Sequence, residues 1–434
     1  MLERIDWKSA DAATRKRALS RPSESGEAFE AARRIVEEIR AEGEAAVRRW
    51  AERLDRWAPD SFRVAQAELD AAEAALAEGD REAILAAAGA VRRFHAEQGY
   101  RSYEVETWPG GRAERRVTPI DVAGLYVPAG TAPLVSTLVM LAVPARLAGV
   151  QRIAVIAPPR KGQGVEPTLL GAAKLLGLDE VYAIGGAHGV AALGYGVAGL
   201  PRADRIFGPG NAYVAAAKAI LAQSAGGAAA DLPAGPSEVM VVADATADAE
   251  LVASDLLSQA EHDALAQVVL VAFSNDFVDR VEIELEAQLA GLPRAGIARA
   301  ALANSRALLV QDEDAAVEAA NAYAAEHLIV QTANPRALAD RVRHAGSVFL
   351  GPWTPEAAGD YAAGPNHSLP TAGAARAYGG VTVEMFQKTT TVLELSREAA
   401  RAIAPTVERL AALEGLDAHR IAMKLRRDRA EAGR

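Results

Sequence analysis

The first hundred residues carry apolar side chains at helical spacing. The segment FEAARRIVEEIRAEGEAAVRRWAERLD begins at Phe29 and places apolar residues three and four positions apart, with a break at Gly43. That spacing puts them on one face of a helix. The segment AQAELDAAEAALAEGDREAILAAAGAVRRFHAEQ predicts further helices. Because His95 lies there among charged neighbours, we expect it at the surface.

From about Val122 the pattern changes to short apolar runs between helical segments. RIAVIAPP, EVYAIGG and RIFGPG are typical of buried strands, whereas EPTLLGAAKLLGL, AHGVAALGYG and NAYVAAAKAIL are typical of helices. SEVMVVAD and LAQVVLVAFS begin a second run of the same kind. Strands that alternate with helices predict parallel sheets covered by helices, so we expect an α/β fold. From SREAARAIAP onward the chain returns to a charged helical pattern.

One apolar span, from Leu125 to Val150, has the length of a membrane helix. Three prolines and one arginine interrupt it, namely Pro128, Pro133, Pro144 and Arg146. We therefore interpret it as a buried loop and helix. The N-terminal MLERIDWKSA lacks the apolar core of a signal peptide. We expect a cytoplasmic protein that does not enter a membrane.

Composition narrows the chemistry. The 434 residues are too many for one simple core, so we expect at least two lobes. The net charge is −10, and the basic run KLRRDR is balanced by nearby acids, which argues against a nucleic-acid partner. There is no cysteine, which excludes disulfides, thiolate metal sites and a cysteine nucleophile.

Three glycine-rich turns follow predicted strands: YAIGGAHG, FGPGNAYV and LPAGPSEV. A turn that leads into a helix offers free backbone N–H groups to a phosphate. None of the three matches G-x-G-x-x-G, the usual dinucleotide fingerprint. A plain structural turn explains each one singly, but three at strand ends of one predicted sheet favour a cofactor crevice.

Polar residues crowd the end of the predicted helix AELVASDLLSQAEHD. Gln259 and His262 are three positions apart, so we expect both to project from one side of that helix. A solvated helix face is the plainer interpretation. Similar groups occur elsewhere: Glu326 and His327 in AAEHLIVQ, Asp360 and His367 in GDYAAGPNHSLPT, and Glu414 and His419 in EGLDAH. Oxygen and imidazole donors without a thiol suit a zinc-like or manganese-like ion, but spacing alone does not gather them.

Taken together, these motifs resemble the conserved blocks of histidinol dehydrogenase. The blocks are GLYVPAGTAPLVSTLVMLAVPARLAGV, FGPGNAYVAAAK, AGPSEVMVVAD, ASDLLSQAEHD, EHLIVQT, AGSVFLG, GDYAAGPNHSLPT and LEGLDAH. They occur in the family's order and cover most of residues 30–420. The resemblance implies an enzyme that uses zinc and two molecules of NAD to oxidise L-histidinol, through L-histidinaldehyde, to L-histidine. It also implies an intertwined homodimer with shared active sites.

The resemblance assigns roles to individual residues. The implied zinc ligands are Gln259, His262, Asp360 and His419, the last from the partner subunit. Glu326 and His327 resemble the acid/base pair. Ser237, His367 and Glu414 resemble substrate contacts, and the zinc ligands and His327 border the substrate as well. Tyr126 and Asn211 match cofactor contacts, and so does position 188, where the family's usual GGAQ is GGAH and His188 replaces glutamine. Ser368 stands where an apolar residue is common.

The resemblance also implies domain limits. We expect two Rossmann-like lobes with parallel-rich sheets and small helical arms at both ends. The N-terminal arm is residues 1–25, the NAD-binding domain 125–238 and the C-terminal arm 377–434. The catalytic, zinc-binding domain combines 26–124 with 239–376.

Without cysteine, an aldehyde cannot be oxidised through a thiohemiacetal. It has to be hydrated to a gem-diol, which then gives up the second hydride. We expect His327 to take the proton in each oxidation and Glu326 to activate the water. Zinc would orient the substrate amine and imidazole, with Lewis-acid polarisation of the alcohol as the alternative. A related dehydrogenase of another small alcohol, or a silent metal- or nucleotide-binding module, are the competing functions.

Overall fold

A computed structural model of the chain describes residues 2–22, 26–129, 133–160, 163–233 and 235–433. Residues 23–25 of the predicted N-terminal arm, 130–132 of the apolar span and 234 of the turn LPAGPSEV lie outside these ranges. The chain forms two compact units. The first comprises Met1–Glu97 and Asp121–Val383, and the second Gln98–Ile120 and Glu384–Arg434.

The strands, in chain order, are β1 (Glu3–Asp6), β2 (Tyr103–Trp108), β3 (Gly111–Pro119), β4 (Val122–Tyr126), β5 (Arg152–Ala157), β6 (Val181–Ala183), β7 (Arg205–Phe207), β8 (Ala229–Ala230), β9 (Glu238–Ala243), β10 (Gln267–Ala272), β11 (Arg306–Leu309), β12 (His327–Gln331), β13 (Ser347–Leu350) and β14 (Gln387–Leu395). The helices are α1 (Ala12–Ala18), α2 (Gly26–Glu42), α3 (Glu44–Leu54), α4 (Gln66–Ala74), α5 (Glu78–His95), α6 (Val135–Leu147), α7 (Pro167–Leu175), α8 (Gly186–Tyr195), α9 (Ala212–Gln223), α10 (Ala249–Ala260), α11 (Asn275–Leu289), α12 (Ala295–Ala303), α13 (Glu313–Tyr323), α14 (Pro335–Ala339), α15 (Glu356–Tyr361), α16 (Arg397–Leu413) and α17 (Asp417–Glu431). Short 3₁₀ helices are Ala374–Arg376 and Val383–Phe386.

Two parallel sheets form the first unit, which confirms the predicted α/β fold. The larger has the order β1-β11-β10-β9-β12-β13, and the smaller the order β6-β5-β4-β7-β8. All their pairings are parallel. Apart from β1, which joins the edge of the larger sheet, both are doubly wound: the chain begins each sheet at a central strand, β9 or β4, winds to one edge, and returns to build the other side. The strand order reverses between β4 and β7 and between β9 and β12, where α/β proteins open a crevice.

Strand β9 shows why its sequence is apolar without alternation. Val239 and Val241 belong to a core cluster on one face of the larger sheet, and Met240 and Val242 to a cluster on the other. Helices cover both faces, so every position is buried. The apolar span also folds as predicted: its helical part is α6, only 13 residues long. No helix of the described chain could cross a membrane.

Two expectations from local pattern were wrong. The N-terminal stretch, expected to be helical, begins with a strand, because Glu3 to Asp6 pair with Arg306 to Leu309 at the edge of the larger sheet. His95 is fully buried, not exposed. Its Nδ1–H donates to the carbonyl of Val91 at 2.9 Å, and the amide of Asn366 approaches its Nε2 at 3.4 Å. Satisfied ring nitrogens are what allow a histidine to be buried.

The second unit combines an antiparallel sheet with a pair of helices. Its sheet has the order β14-β3-β2, and α16 packs against α17. Strand β14 lies inside the stretch that was expected to be a helical arm. No residue of α17 is buried.

Candidate active site

A cavity of about 280 Å³ in the first unit gathers half of the twelve predicted site residues. Six of them line it: Ser237, His262, Glu326, His327, Asp360 and His367. The cavity lies between two sheet edges. Pro128 and Pro209 follow the carboxyl ends of β4 and β7, whereas Ser237 and Glu326 precede β9 and β12. The smaller sheet therefore presents the carboxyl ends of its strands to the cavity, and the larger sheet presents the amino ends of its strands.

The end of α10 supplies Gln259 and His262, though not as expected. The helix ends at Ala260, so His262 lies beyond it, in a turn where its N–H donates to the carbonyl of Gln259 at 3.2 Å. The prediction that both residues project from one helix is therefore wrong. Gln259 is fully buried, whereas His262 is exposed at the cavity mouth. Although the residue is exposed as a whole, its ring lines the cavity, and the surrounding protein lowers the pKa of His262 because it disfavours the charged imidazole.

Helix α15 adds a carboxylate that the sequence analysis did not find. Glu356 and Asp360 are four residues apart, so they share a helix face. One donor atom from each, with one from His262, lie within 4.8 Å of one another. Glu356 is fully buried. The i, i+4 acids in PEAAGDY were the only signal in the sequence.

The acceptors around Gln259 show which way its side-chain amide points. With its nitrogen towards them, it donates to Glu356 Oε1 at 3.0 Å and to the carbonyl of Glu238 at 3.3 Å. His327 Nδ1 lies 3.3 Å from the same carbonyl. His327 Nε2 is 3.6 Å from Asp360 Oδ1, too far for a hydrogen bond, and has no partner within the described chain.

Burial and charge together set the protonation of these groups. Burial raises the pKa of Glu326 to about 8, although its Oε2 accepts from the backbone N–H of Glu238 at 2.9 Å. Burial lowers the pKa of His327, but the surrounding carboxylates, Glu356 first, outweigh it and raise that pKa to about 10. Burial raises the pKa of Glu356 and would do the same for Asp360, but the neighbouring His327 imidazole, 3.6 Å away, lowers the pKa of Asp360.

His367 is held in one tautomer. Its Nδ1–H donates to the carbonyl of Asp360 at 2.8 Å, so Nε2 is the acceptor for the Thr137 hydroxyl at 3.1 Å. Burial lowers the pKa of His367, which favours the same neutral form. The loop is anchored by Asn366, whose amide donates to the carbonyl of Met140 at 2.7 Å.

The predicted cofactor residues lie at the carboxyl edge of the smaller sheet. Tyr126 ends β4, and burial raises its pKa to about 12. His188 is fully buried in the first turn of α8, with Nε2 2.9 Å from Asp55 Oδ2. Asn211 is the exposed N-cap of α9 and accepts from the N–H of Val214 at 3.2 Å.

A buried ion pair that the sequence did not predict fixes the turn after β7. Lys218 pairs with Asp231, and the two grip Gly208: Lys218 Nζ donates to its carbonyl and Asp231 Oδ2 accepts from its N–H, both at 2.8 Å. Gly208 has φ +120°, and a Cβ there would lie 2.1 Å from the carbonyl oxygen of Tyr126. Only glycine fits this approach.

The last two predicted residues, Glu414 and His419, belong to the second unit. Glu414 is the C-cap of α16, and His419 lies in the first turn of α17. Both side chains are exposed. Within one chain, His262 and Asp360 line the cavity, and the described Glu356 and Gln259 lie next to them.

The comparisons with known proteins agree on one family. A family model described as histidinol dehydrogenase matches residues 19–427. A histidinol dehydrogenase of Xanthomonas euvesicatoria pv. vesicatoria (strain 85-10) is 48% identical over 424 residues, which cover 97% of this chain and 98% of that protein. One from Vibrio cholerae serotype O1 is 44% identical, with 97% of each covered. The crystal structure of histidinol dehydrogenase from Elizabethkingia anophelis matches with a TM-score of 0.90, 38% identity and 98% coverage of both chains. The chain belongs to the histidinol dehydrogenase family.

Proposed function

We propose that the protein oxidises L-histidinol through L-histidinaldehyde to L-histidine, with zinc bound at the site and NAD as the oxidant. The observation that carries this is a cluster of three donor atoms, from His262, Glu356 and Asp360, of which His262 and Asp360 line the same cavity as the pair Glu326 and His327. The family relationship supports the oxidoreductase class and the substrate. The clustered donors support a metal.

The donors suit a zinc ion. His262 and Asp360, with the amide oxygen of Gln259, provide nitrogen and oxygen ligands, which zinc accepts when no thiolate is present. Two buried atoms near them, Glu356 Oε2 and His327 Nε2, have no hydrogen-bond partner among the described residues. When bound, the ion would orient the substrate's amine and imidazole and offset the carboxylate charge that raises the pKa of His327. Glu356 would receive the Gln259 amide and hold that side chain in place.

The edge of the smaller sheet suits NAD. The turns before α8 and α9 lie at the carboxyl edge of that sheet, and the turn before α9 directly follows β7, a switch-point strand. Gly210 packs closely against Tyr126: a Cβ at this position would lie 3.2 Å from the tyrosine ring. When bound there, NAD accepts the hydride of each oxidation. We assign Tyr126 and Asn211 to line the site, and the buried His188 to support the glycine turn from beneath.

The proposed proton-transfer groups are Glu326 and His327, at the start of β12. A proton on His327 Nδ1, donated to the Glu238 carbonyl, leaves Nε2 as the base that faces the cavity. His327 takes the hydroxyl proton in each oxidation. Between the two oxidations, the ionised Glu326 carboxylate takes a proton from the water that adds to the aldehyde. Ser237 and His367 line the cavity as substrate contacts, to which Glu414 would add a carboxylate for the substrate's amine.

A homodimer with shared sites would bring in the remaining residues. The second unit leaves apolar side chains exposed that a partner would cover: Leu393, Leu410, Leu413, Leu416, Ile421 and Leu425. We propose that His419 and Glu414 act in the partner's site. Two inactive variants, His262→Asn and His419→Asn, test this when co-expressed. A mixed dimer restores one intact site if His419 crosses over, whereas no activity returns if it acts within its own chain.

The central experiment measures NADH formed from L-histidinol by the purified enzyme. We expect two NADH per histidinol, loss of activity on chelation and recovery with zinc. A panel of other small alcohols tests substrate choice, and no NADH from histidinol would refute the proposal. Glu326→Gln should slow oxidation of the aldehyde most, whereas Asp340→Asn, an exposed change, is the matched control. Full activity of Glu326→Gln on the aldehyde would exclude the water-activating role.

A further inference from the structure

A second, much smaller cavity lies directly behind the catalytic one. Its volume is about 40 Å³. The two cavities share a wall, because Pro209, Ser237, Glu326 and His367 line both. Glu326 therefore faces the substrate cavity on one side and this enclosed space on the other.

Two lining residues carry hydroxyl groups without a hydrogen-bond partner among the described residues. Ser368 and Thr371 are 5% and 3% exposed, and neither Ser368 Oγ nor Thr371 Oγ1 has a hydrogen-bond partner within the described chain. The backbone of Ser368 is fixed, since its N–H donates to Asn366 Oδ1 at 2.9 Å. A Cβ at Gly235, which also lines the space, would lie 3.2 Å from Thr371 Oγ1, so that hydroxyl borders it.

The space suits water and little else. One buried water needs roughly 10–15 Å³ of such volume and two to four polar partners, so about three molecules fit. Two free hydroxyls and the Glu326 carboxylate supply partners, and a buried hydroxyl without one costs stability. Water can be replenished, because Asp231, Leu232 and Gly235 also line an open groove of about 780 Å³.

We propose that this cavity holds ordered water, and that Ser368 and Thr371 position one molecule against Glu326 to supply the oxygen that the aldehyde takes up. This inference rests on the proposed function. Ser368 and Thr371 are positioning residues, since they act through the water. The serine is one of the positions at which this chain departs from the usual apolar residue.

The step balances as a hydration. The water oxygen bonds to the aldehyde carbon while the carbonyl π bond breaks. Glu326 takes one proton from the water, and the carbonyl oxygen takes one from protonated His327. The product is the gem-diol, with no change of oxidation state. NAD, which the proposed reaction already uses, then accepts the hydride.

Single-turnover kinetics with enzyme in excess test the proposal. L-histidinol and NAD are mixed, and the two NADH equivalents are followed in time. Ser368→Ala and Thr371→Val should slow the second equivalent about three- to tenfold more than the first, because each loses one hydrogen bond to the water. Thr371→Ser keeps the hydroxyl and should restore the wild-type ratio. Thr332→Val is the matched control: it removes another buried, unpartnered hydroxyl, at the opposite end of β12.

The outcomes separate this inference from the proposed function. If wild type forms two NADH and the variants keep the wild-type ratio of rates, the positioning role is refuted while the function stands. If wild type forms none, both fail. A crystal structure should show water within hydrogen-bond distance of Ser368 Oγ and Thr371 Oγ1. A dry cavity would overturn the proposal, even if the variants were slow.

Discussion

Replacing Asp255 with asparagine should make the enzyme more stable, and increasingly so as pH rises. Asp255 lies in α10 and is 5% exposed. Its Oδ2 accepts from Gln331 Nε2 at 2.8 Å. Burial nevertheless raises its pKa from 3.8 to about 7, because that one hydrogen bond does not replace the lost hydration of the charge. Gln331 Oε1 lacks a partner among the described residues, and a protonated Asp255, or an asparagine, could donate to it.

The direction in which pH changes stability depends on whether the folded or the unfolded chain binds the proton more tightly. Below about pH 4 the acid is protonated in the folded and unfolded chains alike, and the pKa difference has no effect. Between about pH 4 and 7 the folded chain binds the extra proton, so stability falls as pH rises. Above pH 7 the full cost is present, on the order of 4 kcal/mol. Asparagine does not ionise and avoids this cost.

Thermal unfolding at a series of pH values measures the effect. Between pH 5 and pH 8 the advantage of Asp255→Asn should grow by on the order of 3 kcal/mol. For a chain of 434 residues that is about 3 °C in Tm. Asp340→Asn, an exposed change of the same chemistry, is the control. A Tm difference that is the same at pH 5 and pH 8 would show that Asp255 does not carry the buried charge.

Three further results are expected. The second oxidation should speed up as pH rises through about 8, because Glu326 acts as a base only when ionised; a flat pH profile of the second NADH phase would contradict this. Lys218→Met should lower the free energy of unfolding by about 3–5 kcal/mol, since it leaves a buried carboxylate without its cation, and a loss below about 1 kcal/mol in urea titrations would exclude that. Gly208→Ala should abolish soluble folded protein, because its Cβ would lie 2.1 Å from a backbone oxygen, whereas Gly296→Ala, with open space around it, should fold normally.

Local patterns were informative where a residue's environment depends on its near neighbours. Continuous apolar runs identified β9 and β10, because parallel strands covered on both faces need apolar side chains everywhere. Proline positions excluded a membrane span. The pattern failed at β1, whose four residues are extended only because they pair with β11, some 300 residues later in the chain.

For the site, too, the motifs pointed to residues, whereas their arrangement came from the structure. Family motifs pointed to Gln259, His262, Asp360 and the pair Glu326 and His327. The structure places the last four around one cavity and the buried Gln259 beside His327. It could not be seen from spacing that His262 lies beyond the helix end, since helix length is set by how the chain turns into β10.

By itself, the sequence determined the fold class, the lack of thiol chemistry and the family, because these depend on residue type and local order. Only the tertiary structure decided which groups meet. Glu356 lies beside His262 and Asp360, Lys218 and Asp231 hold Gly208, and Ser368 and Thr371 line a small cavity together with Glu326. Burial and the distances between residues far apart in the chain set those charges and contacts, and neither is written in local sequence.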